Sequence, residues 1–332
     1  MKIVVTGGTG FLGRHVVWRA AAEGAQVLFT GRNPLAARDV ITHAPAPVQW
    51  IPLTHGEPDA PTRLTDACQG AHVLVHCAAL SSPWGSEQAF HQANITSTVE
   101  VIAAAQTHSV PRLVHISTPS LYFQFVDRLN IREGDPLPEP VNMYARTKRA
   151  AEDLIRQAQL PSVAILRPRA LFGPWDQTLV PRLLRVMQQG RLPIMRGGHI
   201  QLDLTYIDNA VEAVWRAATR PLPGSINTYN VTNDEPRELS DVLNVMAQAF
   251  GLQLRTRSVP WPVVKSIAYA MEVYARLTHG KEPPFTRYSA GVLAFSQTLD
   301  VSALRTDLAW EASISINEGI ERHARWWRAY PS

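Results

Sequence analysis

The chain has 332 residues, enough for one large α/β unit or two modest domains, and its 45% apolar and 18% charged composition excludes a disordered chain. Two cysteines, Cys68 and Cys77, exclude a disulfide scaffold or a cysteine-rich zinc site and make a reducing compartment the expectation. The net charge of +4 is scattered without a long basic run, which argues against nucleic acid and leaves anionic small molecules, phosphates included. The opening MKIVVTGGTG lacks the long apolar run of a secretory leader, and no stretch approaches the ~20 apolar residues of a spanning helix, so a cytoplasmic protein without an integral membrane span is expected.

In chain order, the apolar run Lys2–Thr6 predicts a strand that passes through a glycine-rich turn into a helix over Phe11–Glu23. Short β-type runs follow at Gln26–Thr30, Trp50–Leu53, Val73–His76, Leu113–Ile116 and Val163–Leu166. Between the later runs the pattern is helical, most clearly over Glu87–Thr107 and Tyr144–Gln159. Strands alternating with helices imply a doubly wound parallel α/β sheet covered on both faces. The second half is less regular, with helices predicted near Leu179–Gln189, Asp208–Thr219, Leu239–Phe250 and Val263–Leu277. No linker, repeat or low-complexity tract interrupts the chain, so a second domain would grow out of the sheet rather than hang from a tether.

The turn reads Gly7-Gly8-Thr9-Gly10-Phe11-Leu12-Gly13, which satisfies both G-x-G-x-x-G (from Gly8) and G-x-x-G-x-x-G (from Gly7). The first glycine permits the tight turn, the second lets backbone approach a pyrophosphate, and the third lets the helix pack closely on the sheet. Between a strand and an amphipathic helix, this pattern points to a dinucleotide. An NAD site usually carries an acid at the end of the second strand; here Phe29-Thr30-Gly31-Arg32-Asn33 has none, and the Arg32 fork suits a 2′-phosphate. NADP(H) is therefore the expected cofactor, with NAD(H) the alternative. On this reading residues 1–175 form a Rossmann-type NADP(H)-binding domain, with parts of 200–235 returning to it. Residues 176–332 form mainly a smaller mixed α/β substrate domain.

Tyr144 and Lys148 stand four residues apart at the start of a helix, hence on one face. A neighbouring ammonium favours the phenolate, which makes Tyr144 a usable acid or base. The strand end His115-Ile116-Ser117-Thr118-Pro119-Ser120 brings a hydroxyl to the same crevice, from Thr118 or from Ser117 one step earlier.

With these motifs the sequence resembles the extended short-chain dehydrogenases/reductases. The likeness continues through His76-Cys77-Ala78-Ala79, Asn94, Leu166-Arg167-Pro168, Gly173-Pro174, Tyr206-Ile207-Asp208-Asn209 and Tyr229-Asn230-Val231-Thr232. The resemblance implies a catalytic set of Tyr144, Lys148, Thr118 and Asn94. It implies cofactor contacts at Gly7, Gly10, Phe11, Leu12, Gly13, Arg32, Tyr144 and Lys148, an adenosine side lined by Cys77, Ala78 and Ala79, and a nicotinamide near Pro168 and Arg169. Within the family the sequence is more similar to the 3β-hydroxysteroid dehydrogenase branch, and to bacterial 2-alkyl-3-ketoalkanoate reductases. That likeness rests on Pro83-Trp84-Gly85-Ser86, Ser117-Thr118-Pro119-Ser120, Gly173-Pro174-Trp175-Asp176-Gln177 and Glu282-Pro283-Pro284-Phe285-Thr286-Arg287. Leu53-Thr54 stand where the family often has an Asp for the adenine.

The implied activity is NADP(H)-dependent reduction of a 3-oxo group, or oxidation of a 3-hydroxyl, on a hydrophobic small-molecule substrate, by a homodimer. The rival is a nucleotide-sugar epimerase with a retained nicotinamide, for which Arg169, Arg182 and Arg196 would grip a diphosphate. An NADP-sensing regulator is disfavoured by the intact Tyr/Lys pair. Leu80–Trp84, Leu171–Trp175 and Trp261–Leu277 are expected to line the substrate cleft, with Trp84 and Trp175 aimed at the substrate and Trp326-Trp327 anchoring a terminal helix. His76, His91 and His115 lack zinc spacing and are read as packed or hydrogen-bonded. Val263–Leu277 is open to three readings: core helix, substrate lid or interfacial membrane contact.

Overall fold

Along Lys2–Thr6 the side chains alternate: Ile3 and Val5 join one buried cluster and Val4 the other, so this strand is covered on both faces. The computed structural model describes residues 1–189, 192–278 and 282–330. Seven parallel strands form the main sheet in the order Ile226–Val231, Val163–Pro168, Arg112–Ile116, Val73–His76, Lys2–Thr6, Gln26–Gly31 and Val48–Pro52. Helices Phe11–Ala22 and Ile207–Thr219 pack together on one face. Helices Ala60–Cys68, Ser97–Thr107 and Met143–Gln157 cover the other. Strand order reverses beside Lys2–Thr6, which opens a crevice at the carboxyl ends of Lys2–Thr6 and Val73–His76.

The predicted strands and helices of the first half are all present, with ends shifted by at most two residues. One helix differs in kind: Glu87–Thr107 is broken into Glu87–Phe90, a wide π turn over His91–Thr96, and Ser97–Thr107. The seventh strand, Ile226–Val231, carries a polar Asn-Thr-Tyr-Asn centre and shows no apolar run to predict it from. Helices Pro34–Thr42 and Ala60–Cys68 are likewise additions.

A smaller four-stranded sheet joins Arg237–Glu238, Gln201–Leu202, Gln297–Leu299 and Arg128–Ile131 in that order. Its last strand comes from the segment just before the Tyr144 helix, so residues far apart in sequence meet next to the crevice. Helix Trp261–Leu277 leans on this region. It buries Ala268, Glu272 and Ala275 but exposes Val263, Ile267, Tyr274 and Leu277, so it is not a core helix. Glu272 anchors it by accepting from the Arg287 backbone N–H at 2.6 Å and from Arg287 Nε at 2.9 Å. Among the described residues no helix is long and apolar enough to cross a membrane.

Candidate active site

Gly7 adopts φ +66°, a left-handed turn that an L side chain rarely takes, and a Cβ there would lie 2.7 Å from the Ala78 backbone. A Cβ on Gly13 would collide with the Gly7 carbonyl oxygen, so the helix start and the turn touch through bare backbone. Gly10 sits at the N-cap of helix Phe11–Ala22 with no side-chain cap, leaving the N–H groups of Phe11, Leu12 and Gly13 at a positive helix end for an anion. This turn fits a dinucleotide pyrophosphate. Across the crevice the Ala78 N–H donates to Thr6 Oγ1 at 3.4 Å, so Cys77, Ala78 and Ala79 run alongside the turn. Burial pushes the Cys77 thiol up to about 12, so it stays protonated and serves as lining, not as a nucleophile. Arg32 is exposed and makes no hydrogen bond or ion pair among the described residues.

Tyr144 opens helix Met143–Gln157, whose first turn is capped by Asn142 Oδ1 accepting from the Ala145 N–H at 2.8 Å. Its phenol accepts from Ser81 Oγ at 3.3 Å and lies within hydrogen-bonding reach of Thr118. Burial pushes that phenol up, and Ser81 and Thr118 pull it partly back. One turn on, Lys148 is 1% exposed, and its Nζ donates to the Ile116 carbonyl at 2.7 Å and to His115 Nε2 at 3.1 Å. Burial lowers the Lys148 ammonium to about 8, against the opposing pull of Glu152. Burial and then the Lys148 charge hold His115 well below its ordinary value. The ring is therefore neutral, with its hydrogen on Nδ1, which has no partner. Asn94 sits in the π turn: Oδ1 accepts from the Leu80 N–H at 2.7 Å and Nδ2 donates to Thr147 Oγ1 at 2.9 Å. It thereby ties the Ser81 loop to the Tyr144 helix.

The two rival hydroxyls face different ways. Thr118 Oγ1 donates to Ser120 Oγ at 3.0 Å on the Tyr144 side. Ser117 Oγ turns instead to Glu152 Oε1 at 2.5 Å. Glu152 also accepts from Arg167 Nε at 2.9 Å and Nη2 at 2.5 Å, in a pair with both side chains 2% exposed. Burial pushes the Glu152 carboxyl up, but the Arg167 fork and Ser117 bring it below its ordinary value. Glu152 and His115 were not among the candidates; the i, i+4 spacing of Lys148 and Glu152 was the available signal.

On the substrate side, Ser120 Oγ lies 2.5 Å from Tyr288 Oη, which extends the hydroxyl chain from Thr118. Trp84 meets helix Trp261–Leu277, with the Arg276 guanidinium 5.9 Å from its ring centre. The expectation for Leu171–Trp175 is corrected. Phe172 is fully buried against Tyr206, and Trp175 packs among Trp18, His43, Trp326 and Tyr330, with Arg14 4.7 Å from its ring centre. Gly173 at φ +146° turns the chain there, and the aromatic cluster around helix Phe11–Ala22 captures the indole. Trp326 and Trp327, against Trp175 and Phe250, do anchor the terminal helix Ile316–Ala329. Of the three arginines proposed for a diphosphate, two are occupied. Arg182 holds Glu282 at 2.9 and 3.1 Å, and Arg196 holds Asp127 at 2.6 and 2.8 Å, both two-pronged.

A family model described as NAD dependent epimerase/dehydratase family matches residues 3–232. The chain is 35% identical to the uncharacterized protein YbjS of Escherichia coli (strain K12), over 99% of this chain and 98% of that protein. It is 33% identical to a 2-alkyl-3-oxoalkanoate reductase of Stenotrophomonas maltophilia (strain K279a), over 97% and 98%. Among solved structures, MoeE5 in complex with UDP-glucose and NAD superposes over 100% of both chains with a TM-score of 0.76 at 22% identity, a likeness of fold.

Proposed function

We infer the activity from one premise: the chain belongs to the NAD dependent epimerase/dehydratase family, the extended short-chain dehydrogenases/reductases, and is an oxidoreductase. We propose that it uses NADPH to reduce the 3-oxo group of a hydrophobic substrate such as a long-chain 3-keto acid or a 3-oxosteroid, or runs the reverse oxidation. The relative from Stenotrophomonas maltophilia bears the name of a reductase of such an oxo acid. The observation that carries the choice over a nucleotide-sugar epimerase is the pairing of Arg182 with Glu282 and Arg196 with Asp127. Both pairs lie at the surface and cost at most about 1 kcal/mol each to break, but a diphosphate arriving there would meet a carboxylate beside each cation.

A nicotinamide nucleotide, held by Gly7–Gly13, Cys77–Ala79, Lys148 and the backbone at Pro168 and Arg169, supplies hydride when bound. The rest is done by side chains. Thr118 and Tyr144 donate to the substrate's carbonyl oxygen and orient it. Tyr144 gives its proton to that oxygen as it becomes an alcohol. The phenolate left behind is offset by Lys148, whose buried ammonium is held toward the crevice by Ile116 and His115. Asn94 keeps the Ser81 loop and the Tyr144 helix in register.

The test is to follow nicotinamide absorbance with NADPH and a long-chain 3-oxo acid. Consumption in equal amounts supports the reading. Tyr144→Phe is expected to keep cofactor binding and lower turnover by roughly 10²–10⁴-fold, the usual range for a lost general acid. Interconversion of UDP-glucose and UDP-galactose without net cofactor turnover would overturn the reading in favour of the epimerase.

A further inference from the structure

Helix Trp261–Leu277 turns an apolar row outward. Val263, Ile267, Ala270, Tyr274 and Leu277 recur at intervals of four, three, four and three residues, which places them on one stripe. All five are exposed among the described residues, Ile267 by 52%, Tyr274 by 71% and Leu277 by 76%. Apolar side chains lined up in this way mark a surface that meets a partner.

The charges around the stripe select that partner. The helix has one acid, Glu272, and it is buried on the opposite side, where Arg287 takes it up through its N–H at 2.6 Å and its Nε at 2.9 Å. Its two cations, Lys265 and Arg276, are exposed, stand three turns apart on the same flank of the stripe, and form no ion pair among the described residues. Tyr269 is exposed on that flank too. Strand Thr256–Ser258, which leads into the helix, is exposed throughout, and Arg255 and Arg257 are exposed there. An apolar row flanked by cations and tyrosines, with no exposed carboxylate on the helix, complements a lipid surface with anionic headgroups. A second copy of the chain fits less well: two such helices paired along their stripes would meet with cations at the seam edges and no helix carboxylate to receive them. At 17 residues the helix is shorter than the ~20 needed to span a bilayer, so it would lie on the surface.

The inner side of the same helix reaches the proposed substrate cleft. Trp261 stacks on Phe125 at 5.7 Å, and Phe123 lies 5.3 Å from Phe125 and 5.1 Å from Tyr288. Tyr288 Oη is 2.5 Å from Ser120 Oγ, which accepts from Thr118 at 3.0 Å. One helix thickness, about 10 Å, therefore separates the outward stripe from the aromatic wall that leads to Thr118.

We propose that helix Trp261–Leu277 docks the protein on an anionic lipid surface, with Val263, Ile267, Tyr274 and Leu277 in the acyl boundary and Lys265 and Arg276 on the headgroups. This goes beyond the reductase reading, and its test needs no turnover. A hydrophobic substrate dissolved in the lipid would then meet the cleft wall without crossing water.

The experiment is flotation of the whole protein with phosphatidylcholine vesicles, either plain or mixed in equal parts with phosphatidylglycerol, at low and high salt. Partition onto the mixed vesicles is expected to exceed that onto plain ones by ~10-fold or more, since each cation at an anionic surface is worth roughly fivefold, and to shrink at high salt. Ile267→Ser with Leu277→Ser removes apolar area without adding charge and should lower binding by at least ~10-fold at an unchanged melting temperature. Lys265→Gln should lower it roughly fivefold, whereas Arg38→Gln, which removes the same charge from helix Pro34–Thr42, should leave it unaltered. Wild type that does not float with the mixed vesicles, or binding that survives Ile267→Ser with Leu277→Ser, overturns the proposal. Equal binding to both kinds of vesicle, or an equal loss in Lys265→Gln and Arg38→Gln, overturns it as well, since the cations flanking the stripe would then select nothing. A dimer in sedimentation that Ile267→Ser with Leu277→Ser splits, without flotation, assigns the face to a second copy instead. All of these outcomes leave the reductase reading standing, because that reading fails only on NADPH consumption.

Discussion

Arg32 offers the sharpest test of cofactor choice. It stands just past strand Gln26–Gly31, exposed and without a partner among the described residues, so a 2′-phosphate arriving there breaks no existing pair. The next helix gives the phosphate less, because Asn33 Oδ1 already accepts from the N–H groups of Leu35 and Ala36 at 2.9 and 3.2 Å. The proposed preference for NADPH therefore rests mainly on one guanidinium. A charge-assisted contact is worth ~1.5–3 kcal/mol, and solvent screening places an exposed one at the lower end, about 1.5 kcal/mol or roughly tenfold in Kd. Arg32→Ala should erase that tenfold advantage. Arg32→Asp should go further, since a carboxylate repels the phosphate and accepts from the ribose hydroxyls of NADH. Fluorescence titration of both cofactors at two ionic strengths measures this, with the wild-type advantage shrinking at the higher salt. Equal dissociation constants in the wild type, or a ratio that Arg32→Ala leaves unmoved, would refute the reasoning.

The remaining expectations concern the opposite end of the crevice. Thr118→Val should lower kcat by roughly 10²-fold, the scale of one lost oxyanion donor, whereas Ser117→Ala should spare kcat and cost about 1–2 kcal/mol of stability by stripping a donor from buried Glu152; steady-state kinetics beside urea denaturation separates the two, and the opposite pattern would shift the hydroxyl by one residue. Arg167→Met leaves Glu152 buried with its main partner gone and should cost ~3–5 kcal/mol in the same denaturation assay; a loss under ~1 kcal/mol would mean that water reaches the carboxylate. Lys148 titrates near 8 in the fold against its ordinary 10.5, so between those values the unfolded chain binds the extra proton and stability rises with pH. Wild type should therefore gain on Lys148→Met by up to about 3 kcal/mol from pH ~8 to ~10, and a flat difference would show that the ammonium is not desolvated.

Much of the cofactor half was legible because its signals are local. Gly7 and Gly13 mark a turn and a close approach that only glycine permits, and Tyr144 and Lys148 share a face by helical spacing alone. The π turn around Asn94 was not legible, because a widened turn keeps the composition of the helix it interrupts. Strand Ile226–Val231 was hidden for another reason. Its buried Asn230 is satisfied by Tyr122, Ile131 and Asp300, so a polar residue stands where an apolar run was sought.

The substrate half was read poorly because its meaning lies in pairings across long stretches of chain. In the sequence Arg169, Arg182 and Arg196 are three equivalent cations. Folding separates them, with Glu282 100 residues from Arg182, Asp127 69 from Arg196, and Gln297 128 from Arg169. Two become ion pairs near the surface, and the third is buried, bonded to the Gln297 amide with the Asp203 carboxylate acting on it from further off. No local rule predicts which partner each arginine finds, since helical and strand periodicities fix facing, not distant partners. The proposed catalytic set of Tyr144, Lys148, Thr118 and Asn94 would serve an epimerase as well as a reductase. Telling the two chemistries apart therefore falls to the substrate half, where long-range pairings such as Arg182 with Glu282 and Arg196 with Asp127 form.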